Sequence, residues 1–157
     1  MFLLDTNVVS ELRRRDRTDA RVAAWADGIA ASELFLSAIT ILEIEVGALR
    51  LARRDPVQGA VLRTWIDDRV LPTFEGRILA VDSAVARRCA CLHVPDPRGE
   101  RDALIAATAL EHRLKVATRN VGDFAGLGVG IVNPWEQVKK LPEETAHRGL
   151  ESNRCRA

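Results

Sequence analysis

Short apolar runs alternate with longer amphipathic stretches along this chain. The spacing of apolar residues in the longer stretches, one every three or four positions, is typical of helices that bury one face. Strands that alternate with helices predict a three-layer α/β/α sandwich around a parallel sheet of roughly five strands. The runs with the length and composition of strands are residues 2–4, 34–38, 77–81, 115–118 and 131–133.

The same pattern predicts where the helices lie. We expect Pro72 to end the helix before it, because a proline inside a helix lacks an N–H donor. Residues 119–123 are polar and typical of a loop. The predicted helices cover residues 8–15, 20–31, 40–54, 57–71 and 84–93, and a last one that opens at Asp102 and ends in a basic tail at 112–115.

Length and composition indicate one domain. The chain has 157 residues, of which 47% are hydrophobic and 29% charged, as in an ordinary globular protein. We expect the domain to cover residues 1–138. Residues 139–157 are polar and predict a mobile tail.

The net charge and the cysteines limit the classes of protein to which this chain could belong. The net charge of +1 gives no overall basicity that would indicate a nucleic-acid binder, although an acidic site inside a basic rim would cancel in the sum. Cys89, Cys91 and Cys155 have no framework spacing, which favours a reduced chain with packing thiols rather than metal ligands. We expect no leader segment before the first strand, and no apolar run approaches the ~20 residues of a membrane span. We therefore expect a cytoplasmic protein.

Four acids follow predicted strand ends or lie on helices near them. Asp5 follows the first strand, and Asp123 lies beyond the fourth. Asp102 stands at a helix start, and Glu43 shares a helix face with Gly47, whereas Glu45 points about 200° away from Glu43 and is expected to face solvent or a basic partner. Ligands collect at the carboxyl edge of an open α/β sheet. The alternative for the first acid is that Asp5, or Asn7, only caps the next helix.

Four carboxylates at one edge, without matching lysines or arginines, would repel one another. A hard divalent cation with oxygen ligands relieves this repulsion, and Mg²⁺ uses few carboxylates while it keeps several waters. Such a cation activates water near neutral pH and neutralises charge on a phosphate under attack. The pattern therefore favours metal-assisted phosphodiester hydrolysis.

Five segments of residues 1–136 carry a resemblance to a known family. They are LLDTNVVSEL, SAITILEIEVGAL, DALIAATAL, ATRNVGDF and NPWE. With them the chain resembles the PIN-domain toxins of type II toxin–antitoxin systems, the VapC-type and FitB-like ribonucleases. The resemblance implies a Mg²⁺- or Mn²⁺-dependent ribonuclease that forms a homodimer and is inhibited by a small DNA-binding antitoxin, which would provide any contact with promoter DNA.

The resemblance also implies roles for individual residues. Its acidic quartet corresponds to Asp5, Glu43, Asp102 and Asp123. We expect Asp5 and Asp102 to bind the metal directly, and Glu43 and Asp123 to act partly through water or a second ion. Thr6 matches the supporting hydroxyl beside the first acid, and Asn120 is placed to brace Asp123.

The partners need surfaces outside the quartet. RNA requires a positive rim, for which the candidates are Arg13, Arg14, Arg15 and Arg119, although each could simply be part of a solvated face. An antitoxin requires apolar surface, for which the candidates are Val22, Trp25, Ile29 and Leu49, with core packing as the alternative.

Two other classes of protein are alternatives to the nuclease. A haloacid-dehalogenase-like phosphatase needs a second aspartate two residues after Asp5, where this chain has Asn7. A PIN-fold binding module would act mainly within a promoter-binding toxin–antitoxin complex, with little cleavage of its own. The intact quartet argues against an inactive site but leaves the binding module open.

Overall fold

The sheet is built outward from β1 (Phe2–Leu4), which lies at its centre. The computed structural model describes residues 1–136, so the predicted tail at 139–157 lies outside the described residues. Every strand pairs in parallel with its neighbours. The other strands are β2 (Leu34–Ser37), β3 (Ile78–Leu79), β4 (Lys115–Ala117) and β5 (Ile131–Val132).

The strand order β3-β2-β1-β4-β5 reverses direction between β1 and β4. The chain adds β2 and β3 on one side of β1, then crosses to the other side for β4 and β5. Leu3 is in register with both Phe35 and Val116. The seam between β1 and β4 is therefore the switch point at which open α/β sheets bind ligands.

Eight α-helices flank the sheet within residues 1–136. A 3₁₀ turn, Ala31–Glu33, precedes β2, and a π-helical segment, Ile66–Val70, joins α4 to α5. The α-helices are α1 (Thr6–Leu12), α2 (Ala20–Asp27), α3 (Ala38–Ala52), α4 (Pro56–Trp65), α5 (Leu71–Thr73), α6 (Ser83–Leu92), α7 (Glu100–Glu111) and α8 (Val121–Phe124).

Adjacent residues of β1 feed two separate cores, because successive side chains of a strand point to opposite faces. Leu4 packs with buried residues of α1, α2, α3 and the π-helical segment on one face. Leu3 packs on the other face with Ile105 and Ala109 of α7. The predicted three-layer α/β/α sandwich with a five-stranded parallel sheet is confirmed.

The layer on the second face is completed by α6, which packs against α7. Val85 and Cys89 are buried there against Ala103 and Ala107. Cys89 is thus a packing thiol, as expected, whereas Cys91 is exposed. Within residues 1–136, none of the helices combines the length and the apolar content that a membrane crossing needs.

Several predicted boundaries are wrong, each for a local reason. The first helix begins at Thr6 because Asp5 accepts a hydrogen bond from the Thr6 N–H, and it ends at Leu12 rather than at 15. Pro72 does not end a helix: it lies in the first turn of α5, where a missing N–H costs little. The predicted basic helix tail is wrong as well, since α7 ends at Glu111 and Arg113 turns the chain with a φ of 56°.

Candidate active site

Three of the four acids lie on elements that follow directly from a strand at the carboxyl edge of the sheet. Asp5 joins β1 to α1, Glu43 lies on α3 directly after β2, and Asp123 lies on α8 after β4. The fourth, Asp102, lies in the first turn of α7. Asp123 is therefore helical and not in the loop that the sequence predicts for 119–123, and its N–H donates to the Asn120 carbonyl at 3.1 Å.

The Asp5 carboxylate is buried, with the residue only 6% exposed, and both of its oxygens are hydrogen-bonded. Oδ1 accepts from the Thr6 N–H at 2.7 Å. Oδ2 accepts from Asn7 Nδ2 at 2.6 Å and from Thr118 Oγ1 at 2.7 Å. Burial raises the pKa of Asp5, and these hydrogen bonds offset part of the rise, while the charge of Glu43 adds to it. Asp5 is thus both a helix cap and an oriented acid at the sheet edge.

Thr118 links the two halves of the molecule through its hydroxyl group. Its Oγ1 donates to Asp5 and accepts from Asn7 Nδ2 at 3.1 Å and from the Asn120 N–H at 2.9 Å. One donor and two acceptors are all that a hydroxyl offers. Asn7 Oδ1 in turn accepts from the Arg119 N–H at 3.1 Å. Sequence reasoning overlooked Thr118, although a hydroxyl at the end of β4 was a usable signal.

Glu43 lies between a hydroxyl and a guanidinium. Its Oε2 accepts a hydrogen bond from Thr6 Oγ1, and the supporting role of Thr6 in the site stays a prediction. Its Oε1 lies 3.6 Å from Arg101 Nη1. The expectation that no arginine matches the quartet is therefore wrong for this acid. Glu45 pairs with Arg63 at 2.6 Å, as expected for an acid on the other side of α3.

Asp102 lies within the combined field of the other acids. Its pKa is raised, first by burial and then by the charges of Asp123, Asp5 and Glu43. Burial and these charges act in the same direction, against ionisation of the Asp102 carboxyl. Gly99 leaves room for this carboxylate, since a Cβ at Gly99 would lie 2.7 Å from Asp102 Oδ2.

The donor set suits a hard divalent cation that keeps some of its own waters. Within the described part of the chain, the carboxylates of Asp102 and Asp123 have neither a hydrogen-bond donor nor a basic partner. No three His, Cys, Asp or Glu side chains of residues 1–136 form a ready-made metal cage. Mg²⁺ is commonly bound through one or two carboxylates together with waters, so the carboxylates of Asp102 and Asp123, which have no other partner among these residues, fit it.

The roles predicted for Asn120 and for the rim arginines stay predictions, and the structure gives the contacts of these residues. The backbone carbonyl of Asn120 accepts a hydrogen bond from the Asp123 N–H, and bracing of Asp123 by the Asn120 side chain stays a prediction. Arg14 is exposed. The other rim candidates have partners: Arg13 lies over Trp65 at 5.9 Å, Arg119 lies over Trp135 at 5.4 Å, and Arg15 pairs with Asp27 at 3.0 Å.

This chain belongs to the PIN domain family, whose model matches residues 2–127. It is 40% identical over 141 residues to Toxin FitB of Neisseria gonorrhoeae, covering 86% of this chain and 99% of that one. It is 37% identical over 143 residues to VapC ribonuclease Y4jK of Sinorhizobium fredii, covering 87% and 99%. A solved structure of FitAB bound to an IR36 DNA fragment superposes with a TM-score of 0.79 at 37% identity, covering 87% of this chain and 97% of that one.

Removing one acid from the cluster should stabilise the metal-free protein in a pH-dependent way. The folded-state pKa of Asp102 lies above its ordinary value of 3.8. At pH values just above 3.8, the folded state therefore binds more protons than the unfolded state does. Stability should then fall as the pH rises through this window. In EDTA, Asp102→Asn should melt higher than wild type at pH 7, and the difference should disappear below pH 3.8.

Thermal melts from acidic to neutral pH measure this difference. Asp68→Asn is the matched control, since Asp68 is exposed and has no ion pair or hydrogen bond within the described chain. A difference for Asp102→Asn that is constant with pH, or of opposite sign, would show that the carboxylates do not repel one another.

The Thr118 hydroxyl should contribute more to stability than an ordinary surface hydroxyl. Thr118→Val keeps the shape but removes the donor to a buried carboxylate, and bonds to charged groups contribute about 1.5–3 kcal/mol. We expect a loss of that size in the free energy of unfolding, measured by urea denaturation. Thr118→Ser keeps the hydroxyl and should recover most of the loss. Equal losses for the two variants would assign the effect to packing.

Proposed function

We propose that this chain is the toxin of a toxin–antitoxin pair and acts as a divalent-metal-dependent endoribonuclease. The observation that carries the proposal is the placement of Asp5, Glu43, Asp102 and Asp123 on elements at the carboxyl edge of a PIN-domain sheet, beside its switch point. Relatives named as a toxin and as a ribonuclease, each matched over nearly its full length, support it.

In this proposal Asp5 and Asp102 bind the cation directly, and Glu43 and Asp123 act partly through water or a second ion. Asp5 is suited to direct binding because Thr6, Asn7 and Thr118 hold its carboxylate in one orientation. Asp102 is suited because its carboxylate has no hydrogen-bonded partner within residues 1–136. The cation, Mg²⁺ or Mn²⁺, would supply activation of water and neutralisation of phosphate charge.

The side chains contribute position and proton acceptance. Glu43 and Asp123 present carboxylate oxygens to the water that attacks phosphorus, and can orient its lone pairs and accept its hydrogen bonds. The Thr6 hydroxyl fixes one oxygen of Glu43 and leaves the other facing the guanidinium of Arg101. Basic residues near the edge would draw the RNA backbone toward a site that is itself negative.

The inhibitory partner we propose is a small DNA-binding antitoxin. A cleft of about 720 Å³ offers it apolar walls, with Ile29, Trp65 and Phe74, and basic side chains, including Arg13 and Arg69. The cleft is also lined by Leu4, the residue before Asp5 in the chain. Of the predicted apolar anchors, Ile29 therefore fits this role.

The other predicted anchors divide between core and surface. Val22 is fully buried, and Trp25 packs edge-on against Phe2 with the ring centroids 5.4 Å apart, so both belong to the core. Leu49 is 59% exposed on α3, and Val57 and Val61 are exposed on α4, the helix that packs against α3. We propose this apolar patch as the face for the predicted homodimer, because exposed apolar clusters mark interaction surfaces.

A second function has one observation in its favour. FitAB, the solved relative, is bound to a DNA fragment. The chain could therefore serve mainly as part of a promoter-bound complex, with promoter DNA held through the antitoxin. Intrinsic cleavage by the isolated chain separates the two functions.

The purified chain should cleave single-stranded RNA in Mn²⁺ or Mg²⁺, and EDTA should stop the cleavage. Asp102→Asn should lower the rate roughly 100-fold or more, since a metal supplies several kcal/mol and each 1.4 kcal/mol is a factor of ten. Glu45→Gln is the matched control, because Glu45 lies on the same helix as Glu43 but pairs with Arg63. Cleavage that survives both EDTA and Asp102→Asn would come from elsewhere.

Expression of the chain alone should arrest growth, and co-expression of the small neighbouring gene should restore it. Asp5→Asn keeps a capping residue at the start of α1, so this variant should accumulate normally and lose toxicity. The measurement is colony growth together with immunoblots of protein level. If the Asp5→Asn variant still arrests growth at wild-type protein levels, the toxicity does not come from this site.

A further inference from the structure

The guanidinium of Arg101 is loosely held beside the acidic site. Nη1 lies 3.6 Å from Glu43 Oε1, and the Arg101 side chain is 46% exposed. Within residues 1–136, its five N–H donors make no hydrogen bond that meets normal geometry. The guanidinium therefore keeps most of its binding capacity available at the edge of the acidic cluster.

Three of the four predicted rim arginines are engaged by groups outside the quartet, and Arg14 is exposed. Arg13 and Arg119 lie over the rings of Trp65 and Trp135, and Arg15 pairs with Asp27. Among the ion pairs of the described residues, the one between Arg101 and Glu43 alone includes a site acid. Arg101 is also adjacent in the chain to Asp102, in the first turn of α7. These positions make it a cation of the site rather than of the general surface.

Glu43 can exchange this guanidinium for another cation. Its Oε2 is occupied by the Thr6 hydroxyl, so Oε1 is the oxygen left for a cation. A solvent-exposed pair at this separation is weak and easily displaced. A divalent cation that engages Glu43 would compete with Arg101 for the same oxygen and release the guanidinium beside it.

On the basis of the proposed nuclease function, we propose that Arg101 binds a phosphate of the RNA, and that Glu43 holds its guanidinium at the site edge until a divalent cation takes its place. Arginine presents a planar fork of donors that matches a phosphate bidentately. The transfer moves a positive charge from a carboxylate to the substrate without any covalent step. It also gives the acidic edge a positive group at the place where RNA must approach.

The first test measures the affinity of the chain for Mn²⁺ without RNA, from the electron paramagnetic resonance signal of free Mn²⁺. Arg101→Gln removes the competing charge and should bind Mn²⁺ about two- to fivefold more tightly, as expected for the loss of one exposed pair. Arg63→Gln is the matched control, because it frees Glu45 on the same helix and should leave the affinity unchanged.

The second test measures binding of a fluorescein-labelled single-stranded RNA in Mn²⁺, by stopped-flow anisotropy before cleavage, at several salt concentrations. Arg101→Gln should bind about tenfold more weakly, and the slope of log K against log salt should fall by about 0.7, the value for one phosphate contact. Arg101→Lys keeps the charge but not the fork, so it should keep the slope and lose part of the affinity.

Different outcomes of these two tests would contradict the role of Arg101 and the proposed nuclease function. Mn²⁺ affinity that is unchanged or weaker in Arg101→Gln, or an RNA salt slope equal to that of wild type, would overturn the role of Arg101 while leaving the nuclease intact. Wild-type protein that binds neither Mn²⁺ nor RNA would overturn the nuclease function, and the role of Arg101 with it.

Discussion

A buried carboxylate at the seam of a sheet places strict demands on the residues around it. Asp5 directly follows the central strand and is 6% exposed, so every lone pair that loses water must find a donor. Thr6 and Asn7 supply donors from the start of α1, and Thr118 supplies one from the end of β4. Because β1 and β4 come from opposite halves of the chain, the bonds that satisfy this acid also lock the halves together at the switch point.

The cost of the site lies in its charge. Burial raises the pKa of Asp102, and the charges of Asp123, Asp5 and Glu43 add to the rise. Glu43 is partly neutralised by Arg101, whereas Asp102 and Asp123 have no such partner within residues 1–136. Active sites often destabilise the folded protein when they are empty, and binding of the ligand then restores the lost stability. In the proposed nuclease, the cation is that ligand.

Much of this arrangement could be predicted because strand ends and carboxylates are local features. The runs at 2–4 and 115–118, and the acids Asp5 and Asp123 beyond them, can be recognised one segment at a time. The Thr118–Asp5 bond joins residues 113 positions apart, so periodicity carries no trace of it. The ion pair between Arg101 and Glu43 also joins residues far apart in the chain, so the sequence pattern does not predict it. The position of Pro72 in the first turn of a new helix depends on the π-helical segment that precedes it, which the spacing of apolar residues does not reveal.

The central claim is that the carboxylates at the β1–β4 seam hold a divalent cation. Crystals grown with Mn²⁺ and measured at a wavelength sensitive to manganese test it directly through the anomalous signal. The account predicts a peak within about 2.0–2.3 Å of an oxygen of Asp5 and of Asp102, as expected for a small divalent cation with carboxylate ligands. An anomalous map from saturated crystals with no peak between these two side chains would contradict it.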